Sequence, residues 1–417
     1  MRDVRGTYST VLAHPRSGPV DTSVAGSIMS GFAKPEFAEV ARSFDGLFGS
    51  RSGGGGALVV CWRGETVVDV WNGYADPAGE RPWTRDTLSL SFSTSKGVAS
   101  TVIHRLADRG EIDYDEPVAS YWPEFAANGK GRITVREVLS HRAGLYDARA
   151  LAPDATSLLD HLEMEDRLAR AQRLPCAPAY HGLTYGWLLA GIARRVTGVG
   201  MAELVRSELA GPLGVDGLHI GAPQTAGAQI AQPIGAHPRL LFGVAANAGP
   251  TIRRIAPVGP LVDALLVPGL RDLLTGPEPR ILQTEWASIN GLFTADALAT
   301  LYGALANRGE TDDGGRLLSA ATVRELGRVQ TRARDRVMGL RVRWRLGYHQ
   351  AVSIGARQPH AFGHYGYGGS GAWADPTTGL SLGFVTNKIG WQTTPIGDAR
   401  LFRITGLALQ AATGARP

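Results

Sequence analysis

Strand-like segments gather at the two ends of this chain, with mostly helix-like segments between them. Residues 57–62 and 66–71 alternate or run apolar on either side of Arg63-Gly64, a hairpin signal. Residues 346–354, 371–375 and 380–386 read as strands near the other end. Such a pattern implies an α+β fold in which one sheet is assembled from two distant stretches, with a helical lobe beside it. The expected division is a loosely structured arm over 1–34, a sheet domain from 35–92 and 320–417, and a mostly helical domain over 93–319. Within the last, residues 215–285 are rich in proline, glycine and alanine yet too apolar for a linker, and read as a lid-like insertion. Clefts between such lobes are where active sites usually form.

Helix signals support this layout. Pro35 suits a first turn, and Phe37, Val40, Phe44 and Phe48 make one apolar stripe. A helix is predicted over 184–196 with Gly198 as its stop, and others over 295–307 and 399–411. Gly53-Gly54-Gly55-Gly56 reads as a connector, because no Gly-Lys-Ser/Thr follows to make a phosphate loop.

Composition narrows the function classes. At 417 residues and 44% hydrophobic the chain can bury a large core. The net charge of +5 comes from scattered arginines, without zinc-finger spacing or a basic run, so no nucleic-acid partner is expected. Cys61 and Cys176 form neither a disulfide framework nor a metal-ligand pattern. The first twenty residues lack a signal-like apolar core, and the most apolar late stretch, 255–274, is broken by Pro257, Pro260, Asp263 and Pro268. The expectation is a cytoplasmic protein without membrane contact; oligomeric state leaves no mark in the sequence.

The chemistry is concentrated at Ser93-Thr94-Ser95-Lys96, where an apolar strand-like run enters a helix. Residues three apart on a helix share a face, so Lys96 lies beside Ser93. Lysine is scarce here, occurring only at Lys34, Lys96, Lys130 and Lys388, and none of the other three follows a serine by three. A serine hydroxyl needs a base to become a nucleophile, and a lysine of lowered pKa can be that base. Ser93 is therefore the candidate nucleophile and Lys96 its activator. Tyr180, at a loop-to-helix junction, can share the base role or return the proton to a leaving group. The glycine-rich run from Phe362 to Gly371 lets main chain approach a ligand, and the Tyr367 amide is expected to join that of Ser93 in holding an oxyanion. His141, at a helix end before a turn, is read as a structural hydrogen-bonding residue.

Phe92-Ser93-Thr94-Ser95-Lys96-Gly97, Val138-Leu139-Ser140-His141-Arg142-Ala143-Gly144-Leu145 and Gly363-His364-Tyr365-Gly366 occur in that order. Together they resemble the serine beta-lactamase-related superfamily of class C beta-lactamases, family VIII carboxylesterases and D-alanyl-D-alanine peptidases, over roughly residues 35–410. The resemblance implies a central antiparallel sheet flanked by terminal helices, an all-helical lobe, and an acylated serine between them. It carries Ser93 over as that serine, Lys96 as the neighbouring base, Tyr180 as the tyrosine of the second motif, and His364 and Gly366 as the ends of the third. Two departures stand out. The second motif, often Tyr-x-Asn, reads Tyr180-His181-Gly182, and His364 stands where beta-lactamases usually have a lysine facing the substrate carboxylate. A mostly neutral histidine recognises a carboxylate poorly. The expected activity is therefore a serine hydrolase, a carboxylesterase acting on a small-molecule ester or acyl donor with no metal or organic cofactor. The alternative is an acyltransferase or cyclase that passes the acyl group to an alcohol or amine. A beta-lactamase, a D-Ala-D-Ala peptidase or a non-catalytic binding module fits less well. Pocket walls are expected from the insertion and from around Trp344, Tyr348 and Tyr367.

Overall fold

The computed structural model describes residues 29–48, 53–152, 154–175, 178–223, 230–235, 258–276, 278–390, 393–394 and 397–414. Residues 1–28 of the expected arm, Cys176, and residues 224–229, 236–257 and 277 of the expected insertion lie outside them. The strands used below are, in chain order, β1 (Ser30–Ala33), β2 (Gly55–Trp62), β3 (Glu65–Gly73), β4 (Leu88–Leu90), β5 (Leu218–Ile220), β6 (Ile230–Ala231), β7 (Gly291–Phe293), β8 (His349–Gln350), β9 (Phe362–Tyr365), β10 (Gly371–Asp375) and β11 (Leu380–Thr386).

Seven strands form the main sheet in the order β1-β3-β2-β11-β10-β9-β8, and every neighbouring pair is antiparallel. The two ends of the chain meet at the β2–β11 seam, where Ala57 stands opposite Val385. One face of the sheet is covered by helices Ala38–Asp45 and Ala399–Thr413, and Phe44, Phe384, Trp373, Leu401 and Ile404 are buried between them. The helix Ala295–Ala306, which the sequence placed in the helical stretch, lies across the opposite face against β2, β10 and β11. Gly383 permits this close approach, because a Cβ there would sit 2.3 Å from the Ala295 carbonyl oxygen and 2.8 Å from the Ala299 nitrogen. Gly383→Ala is expected to cost about 1–3 kcal/mol by forcing helix and sheet apart, read as a lowered thermal midpoint. An unchanged midpoint would show that the helix shifts freely.

A second, smaller sheet has the order β5-β7-β4-β6, with β4 parallel to β6 and antiparallel to β7. Its strand β4 delivers the chain into the helix Thr94–Asp108, most of whose residues are buried between the sheet and the surrounding helices. The helix Tyr185–Thr197 ends on Gly198 at φ +76°, a left-handed stop that glycine adopts without strain. Among the described residues no helix is long and apolar enough to cross a membrane.

Three sequence expectations are corrected. Residues 30–33 are an edge strand on β3, not part of a loose arm; Gly31 (φ +108°) lies so close to Asp69 that a Cβ would be 1.9 Å from its carbonyl oxygen. Gly55 and Gly56 belong to β2 rather than to a connector, and a Cβ on either would strike neighbouring main chain at 2.6 Å. Of residues 346–354 only His349 and Gln350 join a ladder. The preceding chain turns at Gly347 (φ +81°), where the Arg345 N–H donates to the Tyr348 carbonyl at 2.8 Å. The apolar residues Leu346 and Tyr348 are buried beside that turn instead of in an extended strand.

Candidate active site

Ser93 stands at the N-cap of the helix Thr94–Asp108. The residue before it, Phe92, has φ +44°, a conformation that is costly for a non-glycine residue and marks a sharp entry from β4. The turn is held by the Ser91 N–H, which donates to the Gly291 carbonyl at 2.8 Å. Ser95 is committed to the same anchor: its hydroxyl donates to the Phe92 carbonyl and accepts from the Gly291 N–H at 2.8 Å. Only Ser93 of the pair is left to face Lys96.

Lys96 Nζ donates to Ser93 Oγ at 3.0 Å and to the Ser288 carbonyl at 2.9 Å. Lys96 is fully buried, and among the described residues no carboxylate pairs with it. Loss of hydration therefore holds its pKa well below the ordinary lysine range. Tyr180 OH donates to the same Ser93 Oγ at 2.8 Å, and Lys96 Nζ lies 5.0 Å from the Tyr180 ring centroid. Burial pushes the Tyr180 phenol above its ordinary pKa, a shift only partly offset by its bond to Ser93. The structure thus brings Ser93, Lys96 and Tyr180 into one hydrogen-bonded cluster, with a desolvated amine and a protonated phenol on the same hydroxyl oxygen.

The third motif lies alongside. Gly366 packs so tightly on the serine turn that a Cβ would be 2.1 Å from the Ser91 carbonyl oxygen. The Tyr367 ring meets Phe92 edge-on at 5.7 Å, so this main chain runs beside Ser93. His364, on β9, donates from Nδ1 to the Tyr365 carbonyl at 3.1 Å, since a carbonyl can only accept. Among the described residues its Nε2, a bare acceptor, is buried without a partner. Burial, then His349 and Lys96, hold this imidazole well below its ordinary pKa, so it is neutral. A cavity of about 430 Å³ opens beside Tyr180 and His364, walled by Met338, Val342, Trp344 and Val352, with Arg341 and Arg343 also on its lining. Trp344 lines it as expected from the sequence, but Tyr348, Tyr367 and the described residues of the 215–285 insertion do not. Tyr348 is buried, with its hydroxyl 2.7 Å from Thr101 Oγ1.

The second motif departs from Tyr-x-Asn for a visible reason. The Gly182 site is filled by Leu265 of the helix Val258–Leu265, whose Cδ2 would lie 2.1 Å from a Cβ at position 182. His181 and His141 pack against each other behind Tyr180: the His181 N–H donates to His141 Nδ1 at 3.2 Å, and the Leu145 N–H donates to His181 Nε2 at 3.1 Å. His141 is neutral through burial, and its ring wedges 4.2 Å from Trp344 and 5.1 Å from Tyr180.

Residues 40–406 match the family described as Beta-lactamase. The chain belongs to that family. Within it, the chain is 45% identical over 399 residues to the esterase/beta-lactamase LipL of Mycobacterium tuberculosis (strain ATCC 25618 / H37Rv), covering 94% of this chain and 90% of the relative. A solved family VIII carboxylesterase superposes with TM-score 0.79 at 32% identity, over 93% of this chain and 100% of the other. A penicillin-binding protein homologue from Caulobacter crescentus gives TM-score 0.80 at 34% identity, over 92% and 99%. This member of the beta-lactamase family is a serine hydrolase, and its antiparallel sheet with flanking helices is the fold that the resemblance implied.

Two contributors to this beta-lactamase-family site left no signal in the sequence. Ser288 presents its carbonyl to Lys96 while its side chain bridges the Gly186 N–H (2.5 Å) and the Leu183 carbonyl (2.8 Å). Asp335 accepts from the Tyr180 N–H at 3.2 Å. Neither lies in a local pattern that names its partner.

Proposed function

We propose that this protein is a carboxylesterase working through an acyl-Ser93 intermediate. The observation that carries the reading is the placement of Ser93 Oγ between a desolvated lysine at 3.0 Å and a phenol at 2.8 Å. Neutral Lys96 takes the Ser93 proton as Oγ attacks the ester carbonyl. The amides of Ser93 and Tyr367 hold the developing oxyanion. Tyr180 gives its proton to the departing alkoxide and recovers one from the Lys96 ammonium. In the second half, water loses a proton to the same pair, attacks the acyl carbon and releases the acid, and Ser93 Oγ is reprotonated.

The ester preference is supported at His364. A lysine there would supply a charged donor to a substrate carboxylate, whereas this imidazole is neutral and its free nitrogen is an acceptor. A charged hydrogen bond contributes about 1.5–3 kcal/mol, so the absence of that one contact at position 364 weakens carboxylate recognition there by about ten- to a hundredfold, with Arg341 and Arg343 farther along the lining left as the cations of the cavity. Turnover of short-chain p-nitrophenyl esters and of nitrocefin, measured side by side, tests this. Faster nitrocefin turnover would sink the ester reading. Accumulation of a new ester in place of acid when an alcohol is added would replace water with an acceptor and make the enzyme an acyltransferase.

A further inference from the structure

Asp335 is fully buried, yet no salt bridge reaches it among the described residues. Burial raises its carboxyl above the ordinary carboxylate range, and the N–H groups that donate to it oppose that rise. One carboxylate oxygen accepts from the main chain of Tyr180 (3.2 Å), Val337 (2.9 Å) and Met338 (2.8 Å). The other accepts from the Trp344 indole at 2.8 Å. That indole lies parallel to the Tyr180 ring, at 5.4 Å and 12°. The Asp335 main chain closes the same loop, donating to the Leu340 carbonyl at 2.8 Å and accepting from Gly339 at 2.9 Å. A single side chain therefore grips both the backbone of Tyr180 and the aromatic plate against which its phenol rests.

We infer that Asp335 is a positioning residue that holds the Tyr180 hydroxyl in line for proton donation to the leaving alcohol. This rests on the reading of Tyr180 as that donor. The arrangement calls for a carboxylate specifically. Asparagine has one acceptor oxygen, so its NH2 group would face either the indole N–H or the three main-chain N–H groups, donor against donor. Of the titratable groups around the phenol, Lys96, His141 and His364 are all driven toward neutrality by burial. The Asp335 charge, after burial, adds to what keeps the phenol protonated. The proton that leaves Tyr180 ends on the alcohol oxygen as the acyl C–O bond breaks, and Lys96 replaces it.

Leaving-group dependence separates this role from general support of the fold. Ethyl acetate and p-nitrophenyl acetate deliver the same acyl group, but ethoxide needs a proton to depart and p-nitrophenolate does not. The ratio kcat/KM stops at the acyl-enzyme, so deacylation does not enter. Asp335→Asn is expected to lose about a hundredfold on ethyl acetate, within the range of general acid catalysis, and less than about tenfold on the activated ester. Tyr180→Phe is expected to show the same split. If Tyr180→Phe is selective and Asp335→Asn lowers both esters equally, Asp335 is only structural and the inference falls. If Tyr180→Phe itself lowers both equally, the proton-donor reading falls instead. Trp344→Phe removes the indole donor but also trims the cavity wall, so should Asp335→Asn fail to fold the matter is decided by the ratio of the Trp344→Phe losses on the two esters, which share an acyl group, and not by the size of either loss. A ratio shifted against ethyl acetate is expected, and an unchanged ratio overturns the inference.

Discussion

Ser93→Ala is expected to lower kcat for p-nitrophenyl esters by about 10⁴-fold or more, the scale seen when an enzyme loses its nucleophile. It should also abolish labelling by a fluorophosphonate probe. The neighbouring serine offers no rescue, because the Ser95 hydroxyl is already spent on Phe92 and Gly291 within the turn. Removing Oγ leaves Lys96 with its Ser288 carbonyl and Tyr180 with its main-chain anchor, so the fold should stand. Mass spectrometry of the labelled wild type gives the direct check: the adduct belongs on Ser93. A wild-type protein that folds but takes no label would end the covalent mechanism and leave a binding role for the cleft.

Lys96 carries the second large effect. Lys96→Met is expected to lose about 10²–10⁴-fold in kcat/KM, the contribution of a positioned general base. Lys96→Arg should be no better, because a guanidinium stays protonated and cannot accept the Ser93 proton. The pH profile has a definite sign. Only neutral Lys96 can act, so kcat/KM should rise with pH through the lysine pKa and level off above it. Burial places that rise well below the ordinary lysine range. In the Lys96→Met variant this limb should vanish. A limb that persists unchanged would assign the titration to another group and remove Lys96 from the base role.

The site was legible where its geometry is local or ordered along the chain. Ser93 and Lys96 are one helical turn apart, so spacing alone puts them together. Tyr180 came from its place at a loop-to-helix junction and His364 and Gly366 from motif order, and the structure gathers Tyr180 onto Ser93 Oγ and lays Gly366 on Ser91. Asp335 and Ser288 were invisible, because what they do depends on which loops the tertiary fold sets beside them. Strand prediction failed in the same way. Leu346 and Tyr348 are apolar because they are buried next to a glycine turn, and apolar spacing does not distinguish that from a sheet. Of the smaller sheet only β4 showed, as the strand-like run before Ser93; its partners β5, β6 and β7 are two or three residues long, too short for a period to show. The large sheet was found because β2, β3 and β11 run for seven to nine residues.

The seam between β2 and β11 has a consequence for how the chain acquires its structure. Its partners, such as Ala57 and Val385, come from opposite ends of the sequence. During synthesis from the N-terminus, the β2–β3 hairpin emerges early with one of its long edges unpaired, and stays so until β11 arrives. Such distant pairing slows folding, because a large loop must close before its contacts are gained. An open edge that waits is also a template for pairing with other chains. The hairpin is thus the segment most in need of protection while the chain is being made.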